Sequence, residues 1–220
     1  MINIAIDGPA GAGKSTIARS LASKLGYIYV DTGALYRAVG VNAMRSGADT
    51  KNSEQVCATL EGADVSLRFV DGEQRVFLGE EDVSVAIRTP EASMAASNVS
   101  AIPEVRAFLF DLQRDIAAKN NCIMDGRDIG TVVLPNAEVK IFLTASAEVR
   151  AKRRYDELLA KGMQADYNQV LEEMIQRDYQ DSHRAIAPLK QADDAVLVDT
   201  SDMNLEQVIE TLDNIVKENI

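Results

Sequence analysis

The chain has 220 residues, 46% of them hydrophobic and 26% charged, with a formal net charge of −11. This length suits one large core with an appended lobe, or two small domains, and the composition argues against wholesale disorder. The acidic balance argues against a nucleic-acid polymer as partner, which needs a basic face. No run of 18 apolar residues occurs, and no basic flank with an apolar stretch opens the chain, so neither a membrane span nor a secretory signal is expected. Cys57 and Cys122 form neither a disulfide framework nor a metal motif. These features together point to the cytoplasm.

In chain order, "INIAID" reads as a short buried strand at 2–7, and "STIARSLASKLG" as a helix over 14–25 ended by Gly26. Between them lies "IDGPAGAGKST", which fits G-x-x-x-x-G-K-[ST] with Gly8, Gly13, Lys14 and Ser15 in the fixed places. A turn of this kind lets backbone N–H groups converge on phosphate oxygens, and the following helix N-terminus adds positive partial charge. Lys14 would reach the β- and γ-phosphates, and the Ser15 hydroxyl would sit on Mg²⁺. A chance match arises in about one in a hundred chains of this length. The strand before and helix after the motif lower that further.

Strand-like runs follow at 27–31, 121–125, 138–143 and 195–199. Helical stretches are expected near 33–46, 103–119, 146–161, 168–184 and 204–218. This alternation predicts βαβ units and a mainly parallel sheet flanked by helices. One region breaks the rhythm. From 63 to 88 alternating strands surround an Asp71-Gly72 turn, which predicts a small antiparallel β insert.

"VDTGALYRA" places Asp31 at a strand end and Thr32, Tyr36 and Arg37 on the next helix, where ligands of parallel sheets gather. The plainer reading makes Thr32 a cap and Arg37 a solvated charge, and taken alone it is the better one. "CIMDGRDIG" ends an apolar strand with Asp125, Arg127 and Asp128. Buried charges are costly unless paired, so a functional role outweighs packing here, and Asp125 suits a metal- or water-coordinating position.

Arg177, Asp181 and Arg184 are spaced i, i+4, i+7, which predicts one shared helix face, as does the spacing of Arg150, Arg153 and Arg154. An isolated helix with that pattern would carry only an ion-pair ladder. Beside a phosphate site, convergent arginines fit clamps on a transferring phosphoryl group. His183, the only histidine, has no nucleophile motif nearby and reads as a bystander. Ser97 and Arg106, around a Pro103 helix start, rise on residue chemistry alone to no more than a cap and a surface charge.

Over essentially its whole length the chain resembles the bacterial cytidylate kinases, a branch of the P-loop nucleoside monophosphate kinases. The resemblance rests on "IDGPAGAGKST", "VDTGALYR", "IRTPEASMAASNVSAIPEVR", "MDGRDIGTVVLPNAEVKIFLTAS" and "RDYQDSHRAIAPL". It implies one α/β domain of P-loop kinase fold: a core of 1–31, 103–150 and 185–220, an NMP-binding region with the β insert at about 32–102, and a helical lid at about 151–184. It implies transfer of the γ-phosphoryl of ATP, with Mg²⁺, to CMP or dCMP.

Carried over residue by residue, Gly8, Pro9, Ala10, Gly11, Ala12, Gly13, Lys14, Ser15 and Thr16 match the ATP-binding loop. Ser97, Arg106 and Asp128 fall on the cytosine readers, while Thr32, Tyr36, Arg37, Arg127, Arg177, Asp181 and Arg184 fall on the remaining CMP site. Lys14, Arg127, Arg177 and Arg184 are the expected catalytic group, and Arg150, Arg153 and Arg154 the lid arginines. Mg²⁺ is expected on Ser15, with Asp125 or Asp31 acting through water. The partners implied are these nucleotides, on a monomer without membrane or nucleic acid. A UMP/CMP or other small-molecule kinase is the nearest rival. A nucleotide switch is further off, since the N-K-x-D guanine reader does not occur.

Overall fold

The computed structural model describes residues 1–70 and 73–220. In chain order its first elements are β1 (Asn3–Asp7), α1 (Lys14–Leu25), β2 (Ile28–Asp31), α2 (Thr32–Arg45), α3 (Ser53–Ala58), β3 (Val65–Val70), β4 (Glu73–Leu78) and β5 (Glu81–Asp82). A 3₁₀ turn (Ala86–Arg88) leads to α4 (Pro90–Val99), α5 (Pro103–Lys119) and β6 (Cys122–Gly126). A π-helical turn (Ile129–Val133) then precedes β7 (Val139–Thr144), α6 (Ala147–Ala160), α7 (Tyr167–His183), β8 (Val196–Asp199) and α8 (Leu205–Asn219). Five strands make up the larger sheet and three the smaller. Among the described residues no helix is long and apolar enough to cross a membrane.

The chain divides into two compact units, one of Ile28–Cys122 with Met1, the other of Ile2–Tyr27 with Ile123–Ile220. In the second unit the strands run in the order β6-β1-β7-β8. β7 pairs parallel with β1 (Ile6 opposite Ile141) and with β8 (Leu143 opposite Val198). Ile4, Ile6, Ile123, Met124, Ile141 and Leu143 are fully buried, as continuous apolar strands covered on both faces should be. Helix α8 lays Val208, Leu212 and Val216 inward at i, i+4, i+8, and its capping box joins Asn204 and Gln207 reciprocally.

The first unit holds its own apolar core of Leu35, Val39, Val56, Val76, Ile87, Val99, Val105 and Leu109. The expected β insert is present. β3 and β4 pair antiparallel from Val65 opposite Leu78 to Val70 opposite Glu73, and β5 adds at Phe77. The Asp71-Gly72 turn lies outside the described residues. Two helices were not anticipated, α3 and α4. Each starts on a local cap, the Asn52 side chain accepting from Gln55 N and the Thr89 hydroxyl from Ala92 N. Helix α5 packs with α2 and therefore belongs to this unit.

Helices α2 and α4 cross at Gly40. A Cβ there would lie 2.8 Å from the Cβ of Ala95 and 3.1 Å from its carbonyl carbon, so only glycine permits the approach. Gly40→Ala is expected to lower the unfolding free energy by about 1–3 kcal/mol through overpacking. Urea titration checks this, and Ala95→Gly in the same chain should restore part of the loss.

Candidate functional site

The loop Gly8–Gly13 leaves the end of β1 in a conformation set by one contact. Gly8 has φ +148°, and a Cβ on it would fall 1.9 Å from the Leu143 carbonyl oxygen on β7. The chain can turn there only because position 8 carries no side chain. It re-enters helix at Lys14, with Gly13 as an N-cap that offers no side-chain acceptor, and no acidic residue in the first turn offsets the helix's positive end.

Lys14 is buried. Its Nζ donates to the Gly8 and Pro9 carbonyl oxygens, each at 2.8 Å, so the ammonium lies inside its own loop. Burial, and then the Arg127 guanidinium, push its pKa down to about 7. Ser15 Oγ donates to Asp125 Oδ2 at 2.9 Å, which brings a hydroxyl and a strand-terminal carboxylate together at the helix start. Asp31, the other carboxylate expected near a metal, is committed elsewhere. Its Oδ1 caps α2 at Ala34 N and its Oδ2 pairs with Arg37 Nη2 at 2.8 Å.

β6 delivers Asp125 and then Arg127 and Asp128 beside α7. Arg127 Nε donates to Asp181 Oδ2 at 2.9 Å, and Arg184 Nη2 to Asp128 Oδ1 at 3.2 Å. Burial raises the Asp181 pKa, but Arg127, Arg177 and Arg184 outweigh it and hold the carboxyl below its usual range.

Arg177, Asp181 and Arg184 share their face up to the very end of α7. α7 stops at His183, and Arg184, its C-cap, has φ −63° and ψ 143°. Its Nε donates to the Ala187 carbonyl at 2.6 Å. The Arg184 φ is still helical and its N–H donates to Gln180 O at 3.1 Å, so the i, i+4, i+7 register holds through Arg184 and only the chain beyond it turns away. From that face Arg184 reaches Asp128.

Arg150, Arg153 and Arg154 part company as well. Arg150 is buried and forms a two-pronged pair with Asp178 on α7, and its Nη1 also donates to the Ala10 carbonyl at 3.0 Å. Arg153 binds the Thr200 carbonyl at 2.8 Å, and Arg154 pairs with Glu157 at 2.9 Å on its own helix. Only Arg150 touches the phosphate loop. His183 stacks on Tyr179 with ring centroids 4.0 Å apart, at the exposed end of α7.

The remaining sequence-predicted residues lie in the first unit. Thr32 and Tyr36 are buried on α2. Arg106, buried in the first turn of α5, places its guanidinium 5.8 Å from the Tyr36 ring and donates to the Ser100 carbonyl at 3.4 Å. The Ser97 carbonyl accepts from Ser100 Oγ at 3.0 Å. Arg37 Nε is buried with no hydrogen-bond partner among the described residues, which leaves a donor unsatisfied.

Sequence reasoning passed over Asp178, the partner of Arg150, and Asp7. Asp7, the last of β1, is 4% exposed and accepts from Ile129 N at 2.8 Å and Gly130 N at 2.7 Å. Burial pushes its pKa up to about 6, against the two N–H groups. The only sequence signal for Asp7 was a charged residue ending an apolar strand.

Lys14 supplies a test of this electrostatic picture. With a folded pKa near 7 against the ordinary lysine value of 10.5, the unfolded chain binds more protons between those limits. The buried ammonium therefore costs stability in full below about pH 7, and the cost fades as pH rises toward 10. Lys14→Met is expected to remove that slope. Paired denaturation curves of wild type and K14M across pH 6–10 read the difference, which should shrink steadily with pH.

The cytidylate kinase family model matches residues 4–218. A cytidylate kinase of Caldicellulosiruptor bescii is 53% identical over 209 residues, 95% of this chain and 92% of that protein. One from an Exiguobacterium species is 50% identical, over 99% of this chain and 97% of that one. Among solved structures, an uncharacterized protein from Eubacterium ventriosum matches with a TM-score of 0.55 at 12% identity, covering 99% of each chain. Shikimate kinase from Bacteroides thetaiotaomicron matches with 0.51 at 13% identity, covering 98% of each. At such identities the structural likeness concerns the fold alone. The sequence matches carry the assignment, and by them the chain belongs to the cytidylate kinase family.

Proposed function

We propose that the chain transfers the γ-phosphoryl group of ATP to CMP or dCMP, giving CDP or dCDP and ADP. The observation that carries this reading is the buried ammonium of Lys14 inside a loop whose shape is set by Gly8, one residue before the Ser15–Asp125 pair. Residues Gly8–Thr16 would hold the ATP phosphates through backbone N–H groups and the α1 N-terminus. Lys14, held now by two carbonyls, would exchange them for β- and γ-phosphate oxygens and regain its full charge.

Phosphoryl transfer asks little covalent chemistry of the protein, and positioning with charge neutralisation does most of it. The acceptor is itself an ionised phosphate, so no strong general base is required. The obstacle is repulsion between two anionic nucleotides. Arg127 and Arg184 are each already oriented by a carboxylate partner, and with Arg177 they would offset that repulsion on the transferring group. Arg37 would take the CMP phosphate, with Thr32 and Tyr36 beside it, and Asp181 would lie near the sugar. The region about 32–102 is read as the NMP-binding part and about 151–184 as a lid that excludes water.

Mg²⁺ fits the oxygen donors at Ser15 and Asp125. Among the described residues no cluster of three protein ligands forms a metal cage, and Mg²⁺ is ordinarily held by one or two carboxylates with water and phosphate oxygens. Bound there, it would neutralise charge on the β- and γ-phosphates.

Cytosine carries an exocyclic amino donor where uracil carries a carbonyl. The Asp128 carboxylate can accept from the first and would face the second as one acceptor against another. Ser97 and Arg106 are the further base contacts proposed. A buried polar group left unpaired costs about 1–3 kcal/mol. Coupled turnover across CMP, dCMP, UMP, AMP and GMP should show CMP and dCMP preferred. Asp128→Asn and Arg106→Met should each lower CMP efficiency and narrow the CMP-to-UMP ratio, with ATP affinity scarcely changed. Equal losses on CMP and UMP would remove both residues from base recognition.

A further inference from the structure

We propose that Asp7 is a positioning residue for base selection: it caps the turn after β6 from a different strand, and so leaves the Asp128 carboxylate to face substrate. This rests on the reading of Asp128 as a cytosine acceptor.

The π-helical turn at Ile129–Val133 closes through i→i−5 bonds, Val133 N to Asp128 O at 3.2 Å and Leu134 N to Ile129 O at 2.7 Å. Like any helical start, it has early N–H groups without partners inside the turn. The ordinary remedy is a side-chain acceptor on the residue just before, and aspartate is among the best. Asp128 stands in that position, yet its carboxylate makes no cap bond and pairs instead with Arg184.

Asp7 supplies acceptors for the first two of these N–H groups. Its two oxygens take the N–H groups of Ile129 and Gly130, one each, from 122 and 123 residues away in sequence. Two acceptors on one rigid carboxylate against two successive donors fix both the position and the tilt of the turn. Had Asp128 capped its own turn, its carboxylate would point back at the backbone and could not meet a base. Asp7 also ends β1, the strand that launches the phosphate loop. One side chain thus sets the base-reading turn from the strand that feeds the phosphate site.

Asparagine at position 7 would keep one acceptor and set an NH₂ against the second N–H group. The test is a cycle of D7N, D128N and the double variant, read as kcat and KM for CMP and UMP at saturating ATP. ATP affinity is measured by calorimetry and amide hydrogen exchange at Ile129 and Gly130 by NMR. The proposal expects D7N to raise the KM for CMP about tenfold and to narrow the CMP-to-UMP ratio. ATP affinity should stay within about twofold, and both amides should exchange faster. Because Asp7 acts through Asp128, the double variant should be no more than about twofold worse than D128N alone.

Losses that multiply in the double variant, or that fall equally on CMP and UMP, would overturn it. If D128N itself leaves the CMP-to-UMP ratio intact, the base-reading role of Asp128 fails. The two amides then still decide the cap: slow exchange retained in D7N removes Asp7 from it. Should D7N not fold, D7E enters the same cycle, since its longer side chain displaces the turn while keeping the carboxylate.

Discussion

The site depends on keeping ionised groups where water scarcely reaches them. Asp7, Lys14, Asp125, Asp128, Arg150 and Asp181 are all buried in the second unit. Each would be prohibitively costly alone, and each is met by a specific partner: carbonyls for Lys14, backbone N–H groups for Asp7, a hydroxyl for Asp125, and an opposite charge for Asp128, Arg150 and Asp181. The partners come from three stretches of chain, the phosphate loop with the start of α1, the turn after β6, and the end of α7. Their convergence explains why the parallel strands must end together at one edge, since only that edge brings loop, turn and α7 within reach.

That arrangement holds two kinds of ionised group. Some stand in mutual pairs, such as Arg127 with Asp181. Lys14 is different, because neutral carbonyls hold it and burial weakens its proton. An anionic ligand beside Lys14 would oppose the effect of burial and restore its proton.

Much of this was legible in the sequence. The phosphate loop, the strand–helix alternation and the β insert follow from glycine placement and apolar periodicity, which are local signals. Helix α3 escaped because six residues with one buried side chain, Val56, show no periodicity, and α4 because its inward stripe of Ala92, Ala95, Ala96 and Val99 is mostly small residues with little hydrophobic contrast. The shared face of Arg177, Asp181 and Arg184 was legible because the helical register runs to the C-cap, whereas the turn that follows Arg184 left no local signal. Asp7 escaped for a deeper reason. Its partners are main-chain N–H groups more than a hundred residues away, and no residue type announces them. The arginine run at 150–154 shows the converse: three like side chains in sequence go to three unrelated partners in space.

Arg150 touches no residue expected to meet a base, yet its grip on the Ala10 carbonyl has a stereochemical consequence. A trans peptide is planar, with its C=O and N–H directed to opposite sides. Anchoring the oxygen of Ala10 on a guanidinium therefore turns the Gly11 N–H away from α6 and stops that peptide plane from flipping. Asp178 holds the guanidinium in turn. The orientation of one bond dipole in the loop is thus dictated by a carboxylate on α7, two steps removed from it.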